Sequence, residues 1–296
     1  MFQLFRVCVA MIFVVTGTVF GSASYVVLQE QDKNSLMRVS EDGKTVSVIA
    51  ENCGGRSLAL DQNGDYIIAS KTALLRVTRE GVVTRIAAAP TGLEWGAALI
   101  DKSGNLIATD SEGLALWKMA KGDESLVKFA TMPGWKAAYV GDPGLAVDNS
   151  GNYLLMRLGD RFEPWLFRVT PAGKVSDVAL SGAIRRASRS YLPFPEPADA
   201  FSGGPMLADD LGGFVFLDYF FTGNMFHLSA TGKVEKLANF GINFPRSLAR
   251  VLGSTDLLIG GERKILRASR DGSGATVFCS DVRIGNAVGI LTEAVR

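Results

Sequence analysis

Six polar residues each stand just ahead of a short apolar run in this 296-residue chain: Arg56, Glu94, Asp142, Ser202, Asn243 and Asn286. If the fold gathers those positions round one axis, Glu94, Asp142 and the carboxamides of Asn243 and Asn286 form an all-oxygen set. Carboxylate and amide oxygens suit a hard cation, Ca²⁺ or Mg²⁺ with some of its waters retained. Aromatic residues crowd the same stretches: Trp95, Trp135, Tyr139, Tyr191 and Phe244 in particular. Aromatics beside a few polar groups, Arg56 among them, describe a small-ligand pocket or a partner-binding hot spot, although several must pack between structural elements instead. Other chemistry is sparse. No Cys-x-x-Cys or His-x-x-x-His spacing occurs, so a tetrahedral zinc site has no support. His227 is the only histidine, which leaves a histidine-based nucleophilic triad little to work with.

The elements that must position these residues are repeats of one stretch, residues 55–87, GRSLALDQNGDYIIASKTALLRVTREGVVTRIA. It reads as short β-branched strands broken by Gly and Asp turns, which is an antiparallel meander. The Asp-x-x-Gly turn recurs at Asp61, Asp101, Asp148 and Asp209, and in degenerate form at Arg250. An apolar strand follows each (DYIIAS, NLIATD, NYLLMR, GFVFLD, TDLLIG), then a strand with a cation near its middle, then a glycine turn and a last strand. Roughly forty residues per unit is the size of a four-stranded propeller blade. His227 falls at the third-strand position that other units fill with Arg38, Arg76, Lys118, Arg168 or Arg267, away from the innermost strand, so a structural role is expected of it.

The ends set the blade count. From Tyr25 the chain aligns with the second strand of a unit, and the missing first strand is found at 285–291, GNAVGIL, matched to GRSLAL. Five whole units and one assembled from both ends make an all-β, six-bladed propeller of four-stranded antiparallel blades, closed by pairing its terminal strands. Closure removes two exposed sheet edges. The first strand of each blade then lines a central channel, with the loops leading into it on one face and the Asp-x-x-Gly turns on the other. Two of those leading loops are long, 132–142 and 181–204. The second carries Arg185, Arg186 and Arg189, then alternating Pro193, Pro195 and Pro197, and is expected to lie as a lid over one mouth.

The repeat resembles the six-bladed propellers of the NHL-repeat and gluconolactonase (senescence-marker-protein) superfamily over nearly all of residues 25–296. The resemblance implies Glu, Asn and Asp in the leading loops holding a divalent ion that polarises a lactone carbonyl and activates water. Glu94, however, sits in Leu93-Glu94-Trp95 of the third unit, and the glycine-flanked Glu of the first unit is missing. A virginiamycin B lyase-like reaction, which in that family implies histidine chemistry, is set back by the single histidine. Two readings follow: a propeller that binds a small ligand or a protein partner at its channel mouth, and a metal-dependent lactonase or related hydrolase.

Residues 1–24 are a separate object. Arg6, an apolar run from Val7 to Phe20 and then Gly21-Ser22-Ala23-Ser24 have the layout of a signal peptide cleaved after Ala23 or Ser24. The run is short for a membrane anchor, and the expected location is secreted or periplasmic. Cleavage leaves 30 cations against 30 carboxylates, with no basic block for a nucleic-acid partner and no second membrane-length segment. It also leaves two cysteines: Cys279, which ends the last strand of blade six, and Cys53, which follows the last strand of blade one. A disulfide clamping the closure is therefore expected alongside the alternative of two buried thiols.

Overall fold

The computed structural model describes residues 23–29, 34–133, 143–158, 164–182, 205–209, 213–217, 223–242 and 245–294. The strands form six separate sheets in a ring. Blade one holds β1 (Ala23–Gln29), β2 (Leu36–Ser40) and β3 (Val46–Ala50). Blade two is β4 (Ser57–Leu60), β5 (Tyr66–Ala69), β6 (Ala73–Val77) and β7 (Val83–Ala88). Blade three is β8 (Trp95–Ile100), β9 (Leu106–Asp110), β10 (Ala115–Met119) and β11 (Val127–Thr131). Blade four is β12 (Gly144–Val147), β13 (Tyr153–Leu158), β14 (Pro164–Val169) and β15 (Val175–Asp177). Blade five is β16 (Ser181–Gly182), β17 (Met206–Ala208), β18 (Phe214–Leu217), β19 (Asn224–Leu228) and β20 (Lys233–Asn239). Blade six is β21 (Ser247–Arg250), β22 (Leu257–Gly261), β23 (Lys264–Ala268) and β24 (Ala275–Cys279). After a single 3₁₀ turn at Val282–Ile284 comes β25 (Ala287–Ala294), which pairs antiparallel with β1 and completes blade one from the inside.

Each blade is sandwiched between two others, so its middle strands are buried on both faces. That is why they read as continuous apolar runs: every residue of Tyr66–Ala69 and of Phe214–Leu217 is buried. Successive side chains enter opposite interblade layers. Tyr25 and Val27 pack against blade six, with Leu258 and Ile265, while Val26 and Leu28 pack against blade two, with Tyr66 and Ile68.

The Asp-x-x-Gly motif works as a self-capping turn. Asp61 Oδ1 accepts the N–H groups of Asn63 (2.8 Å) and Asp65 (2.9 Å), and Asp101 and Asp148 repeat the pattern. The glycine at the fourth position has a positive φ (88° at Gly64), where a β-carbon is disfavoured. These turns define a lower face; the loops leading into the innermost strands define the upper one.

Two features depart from the sequence reading. Ser181–Gly182, the start of the long leading loop, is a short strand added to the outer edge of blade five, parallel to β20. The stretch read as a lid therefore leaves from the rim, and its remainder, 183–204, lies outside the described residues. The closing register is also displaced by two residues from the sequence match. Tyr25 stands opposite Thr292 as Tyr66 stands opposite Leu60, so Glu293 is level with Asp61; beyond a bulge at Val288, Ala287 pairs with Gln29 at the level of Arg56.

Candidate functional site

The innermost strands β4, β8, β12, β17, β21 and β25 enclose a channel of about 520 Å³. Its wall is built of small and aliphatic residues, Ala98, Ala146, Leu145, Leu248 and Gly289 among them. Close approach demands the glycine at 289, where a β-carbon would stand 2.6 Å from that of Leu58. The wall hydroxyls are occupied: Ser57 Oγ accepts the Ala98 N–H at 2.8 Å, and Ser247 Oγ donates to the Ala287 carbonyl at 2.7 Å. Between its mouths the channel is thus apolar and has the volume of a small-molecule pocket. The charged residues among its described lining are all arginines: Arg56 and Arg246 at the upper end, Arg250 at the lower.

Arg56 and Arg246 occupy equivalent places. Each opens the tetrapeptide Arg-Ser-Leu-Ala at the start of an innermost strand, and each gives its backbone N–H to a second-strand carbonyl at 2.8 Å, that of Ala69 or of Gly260. Their strands, β4 and β21, flank the closing strand β25. The sequence reading put Asn243 at this position of blade six, although the repeated RSLA already pointed to Arg246. Asn286 likewise sits one residue short of the level of Arg56, where its backbone bridges to Glu262.

Glu94 is engaged by Arg56, whose Nη2 donates to Glu94 Oε2 at 2.6 Å; the two side chains are 20% and 45% exposed. The Glu94 carboxylate is thus held through one of its two oxygens, and a cation arriving there would share it with Arg56. Asp142 and Asn243, the other members, lie outside the described residues. So do Trp135, Tyr139, Tyr191 and Phe244. Among the described residues no cluster of three or more His, Cys, Asp or Glu side chains could hold a metal.

Trp95 belongs to the core rather than the mouth. It is 1% exposed and packs edge-on against Trp117, with ring centroids 6.0 Å apart, in the layer between blades two and three. His227 has a structural setting on the lower face, its Nε2 3.1 Å from Asp209 Oδ2, with Arg270 on the other oxygen of the same buried carboxylate. Lower-face carboxylates are similarly engaged elsewhere. Asp101 Oδ2 takes the Tyr153 hydroxyl from the next blade at 2.8 Å and the Asn105 amide at 2.9 Å. Burial alone would raise the Asp101 carboxyl, but these bonds and two backbone N–H groups outweigh it and hold the group below the usual carboxylate range.

Of the two alternatives for the cysteines the structure has the thiols: Cys53 and Cys279 are free and buried. Cys53 packs in the layer between blades one and two, Cys279 in the layer between blades six and one. The sheet of blade one stands between them. Blades one and six are neighbours as expected, but Cys53, three residues beyond the end of β3, packs on the far side of blade one.

No protein-family model matches the chain, and no curated protein matches it. Solved structures do. A chain of the nidogen/laminin complex superposes with a TM-score of 0.68 at 14% identity, over 92% of this chain and 98% of that one. The likeness is one of fold. Virginiamycin B lyase from Staphylococcus aureus gives 0.56 at 12% identity over 89% and 86% of the two chains. A gluconolactonase from Xanthomonas campestris gives 0.55 at 12% identity over 81% and 83%. These propellers carry different functions on one architecture, so the chemistry of this chain has to be argued from its own residues.

Proposed function

We propose that the mature chain is an exported binding propeller that takes a small ligand at the upper mouth of its channel. The ligand presents an anionic or strongly accepting group to Arg56 and Arg246 and lays an apolar body along the aliphatic wall. The observation that carries this reading is the duplicated Arg-Ser-Leu-Ala: two guanidinium-bearing strands flank the closing strand over an apolar channel. Guanidinium groups on a fixed backbone suit planar carboxylates and phosphates, which they can grip through two parallel hydrogen bonds. The Arg56–Glu94 pair orients one of them. Export rests on the layout of residues 1–24, and no helix among the described residues is long and apolar enough to cross a membrane.

The test is a thermal-shift screen of aliphatic and aromatic carboxylates and phosphate esters against uncharged analogues, followed by calorimetry on hits. Arg56→Gln with Arg246→Gln is expected to weaken binding at least about tenfold, in keeping with the loss of charge-assisted hydrogen bonds. Hits that bind the double variant unchanged would remove the arginines from the site. A calcium- or magnesium-dependent rise in melting temperature, abolished by Glu94→Gln, would favour the lactonase reading instead.

A further inference from the structure

A strand that closes a ring needs a register as well as a partner. Within blades two and three the innermost strand is held to the next by a self-capping turn at Asp61 or Asp101. No turn joins β25 to β1. Backbone pairing by itself tolerates a slip of two residues, because such a slip returns every side chain to its own face.

Glu293 stands at the level of Asp61 on this unconnected strand. It is 4% exposed, and donors from two blades converge on it. Ser24 Oγ and Arg38 Nε, both of blade one, approach Oε2 at 3.3 Å. The Tyr66 hydroxyl at 3.1 Å and Arg79 Nη2 at 3.4 Å, both of blade two, approach Oε1. Arg38 Nη2 also donates to the Tyr66 oxygen at 3.2 Å, which closes the network. The bond from Tyr66 to Glu293 repeats at the seam what the bond from Tyr153 to Asp101 does between blades three and four.

We propose that Glu293 is the register latch of the ring, taking the place of the carboxylate that a covalent turn supplies elsewhere. A two-residue slip one way carries Leu291 into this position. It leaves two guanidinium groups and a phenol without their buried acceptor, a loss that backbone pairing does not compensate. The latch also ties blade two to the closing strand, so opening the seam disturbs both.

The experiment uses the chain begun at Ala23, which keeps all of β1, with Glu293→Gln and Glu293→Ala. Each is also placed in a circular permutant that joins β25 to β1 by a short turn and opens the chain between Lys102 and Ser103. Hydrogen exchange is followed on peptides covering β1 and β25. In the natural connectivity the substitutions are expected to lower protection there by roughly tenfold to a hundredfold while blades three and four keep theirs. In the permutant, where the turn holds the register, that selective loss is expected to fall below about twofold. If Glu293→Ala does not fold, Glu293→Gln carries the comparison, because it preserves the shape of the side chain. Uniform loss across all blades, an equal local loss in the permutant, or no loss at all would each overturn the proposal.

Discussion

Tyr153→Phe removes one hydroxyl from an otherwise unchanged ring. Tyr153 is 1% exposed, and the structure shows that a ring without the hydroxyl suits this position, since Phe214 opens the corresponding strand of blade five and is 2% exposed. What is lost is the 2.8 Å bond to Asp101 Oδ2 across the boundary of blades three and four. A hydrogen bond to a charged group contributes about 1.5–3 kcal/mol, and Asp101 keeps its Asn105 and backbone donors, so a cost of about 2 kcal/mol is expected. For a domain of this size that lowers the melting temperature by about 3–4 °C.

The pH dependence follows from two shifts. The Asp101 carboxyl lies below its ordinary value in the folded protein, so its contribution is complete above about pH 4 and is lost as acid protonates it. The Tyr153 phenol is pushed up, by burial first and then by its bond to Asp101 and that group's charge. Its contribution is complete below about pH 10 and declines as the pH rises further. The stability gap between wild type and Tyr153→Phe should therefore be widest from about pH 5 to 9 and should narrow at both ends. Urea unfolding within that range and beyond both of its ends measures it, and a double-mutant cycle with Asp101→Asn isolates the pair. A gap that stays constant from acid to alkali, or a coupling energy under about 0.5 kcal/mol, would refute the argument.

Two further outcomes follow from the packing. Under denaturing, non-reducing conditions the mature chain should titrate with two thiols; in the folded state both should react slowly, because burial raises both thiols and shields them. Zero thiols on denaturation would mean that Cys53 and Cys279 are bonded and that blade one does not separate them. Trp95→Ala should cost about 3–5 kcal/mol of stability in chemical denaturation while leaving ligand affinity within about twofold. A stability change under about 1 kcal/mol would put the indole at the mouth instead of in the core.

The fold was legible because its determinants are local. Asp61, Asp101 and Asp148 cap their own turns within four residues, and buried middle strands such as Tyr66–Ala69 must be apolar throughout, so each blade announces itself in its own forty-odd residues. Ring closure from the two ends was legible for the same reason: the incomplete unit at one terminus calls for a strand from the other. The site was less legible. Lining up GNAVGIL with GRSLAL preserved the alternation of faces, and a two-residue error is invisible to a period of two. Only the pairing of Tyr25 with Thr292 brings Glu293 to the level of Asp61 and leaves Asn286 short of the mouth. The side of a sheet on which a residue emerges is equally a tertiary matter, and it parts Cys53 from Cys279 although their blades adjoin. Arg56 and Glu94 are 38 residues apart in the chain; that the first neutralises the second depends on where two blades place their leading loops. Sequence periodicity specifies which residues face inward, whereas register, sidedness and charge pairing depend on distances between segments that only the closed ring sets.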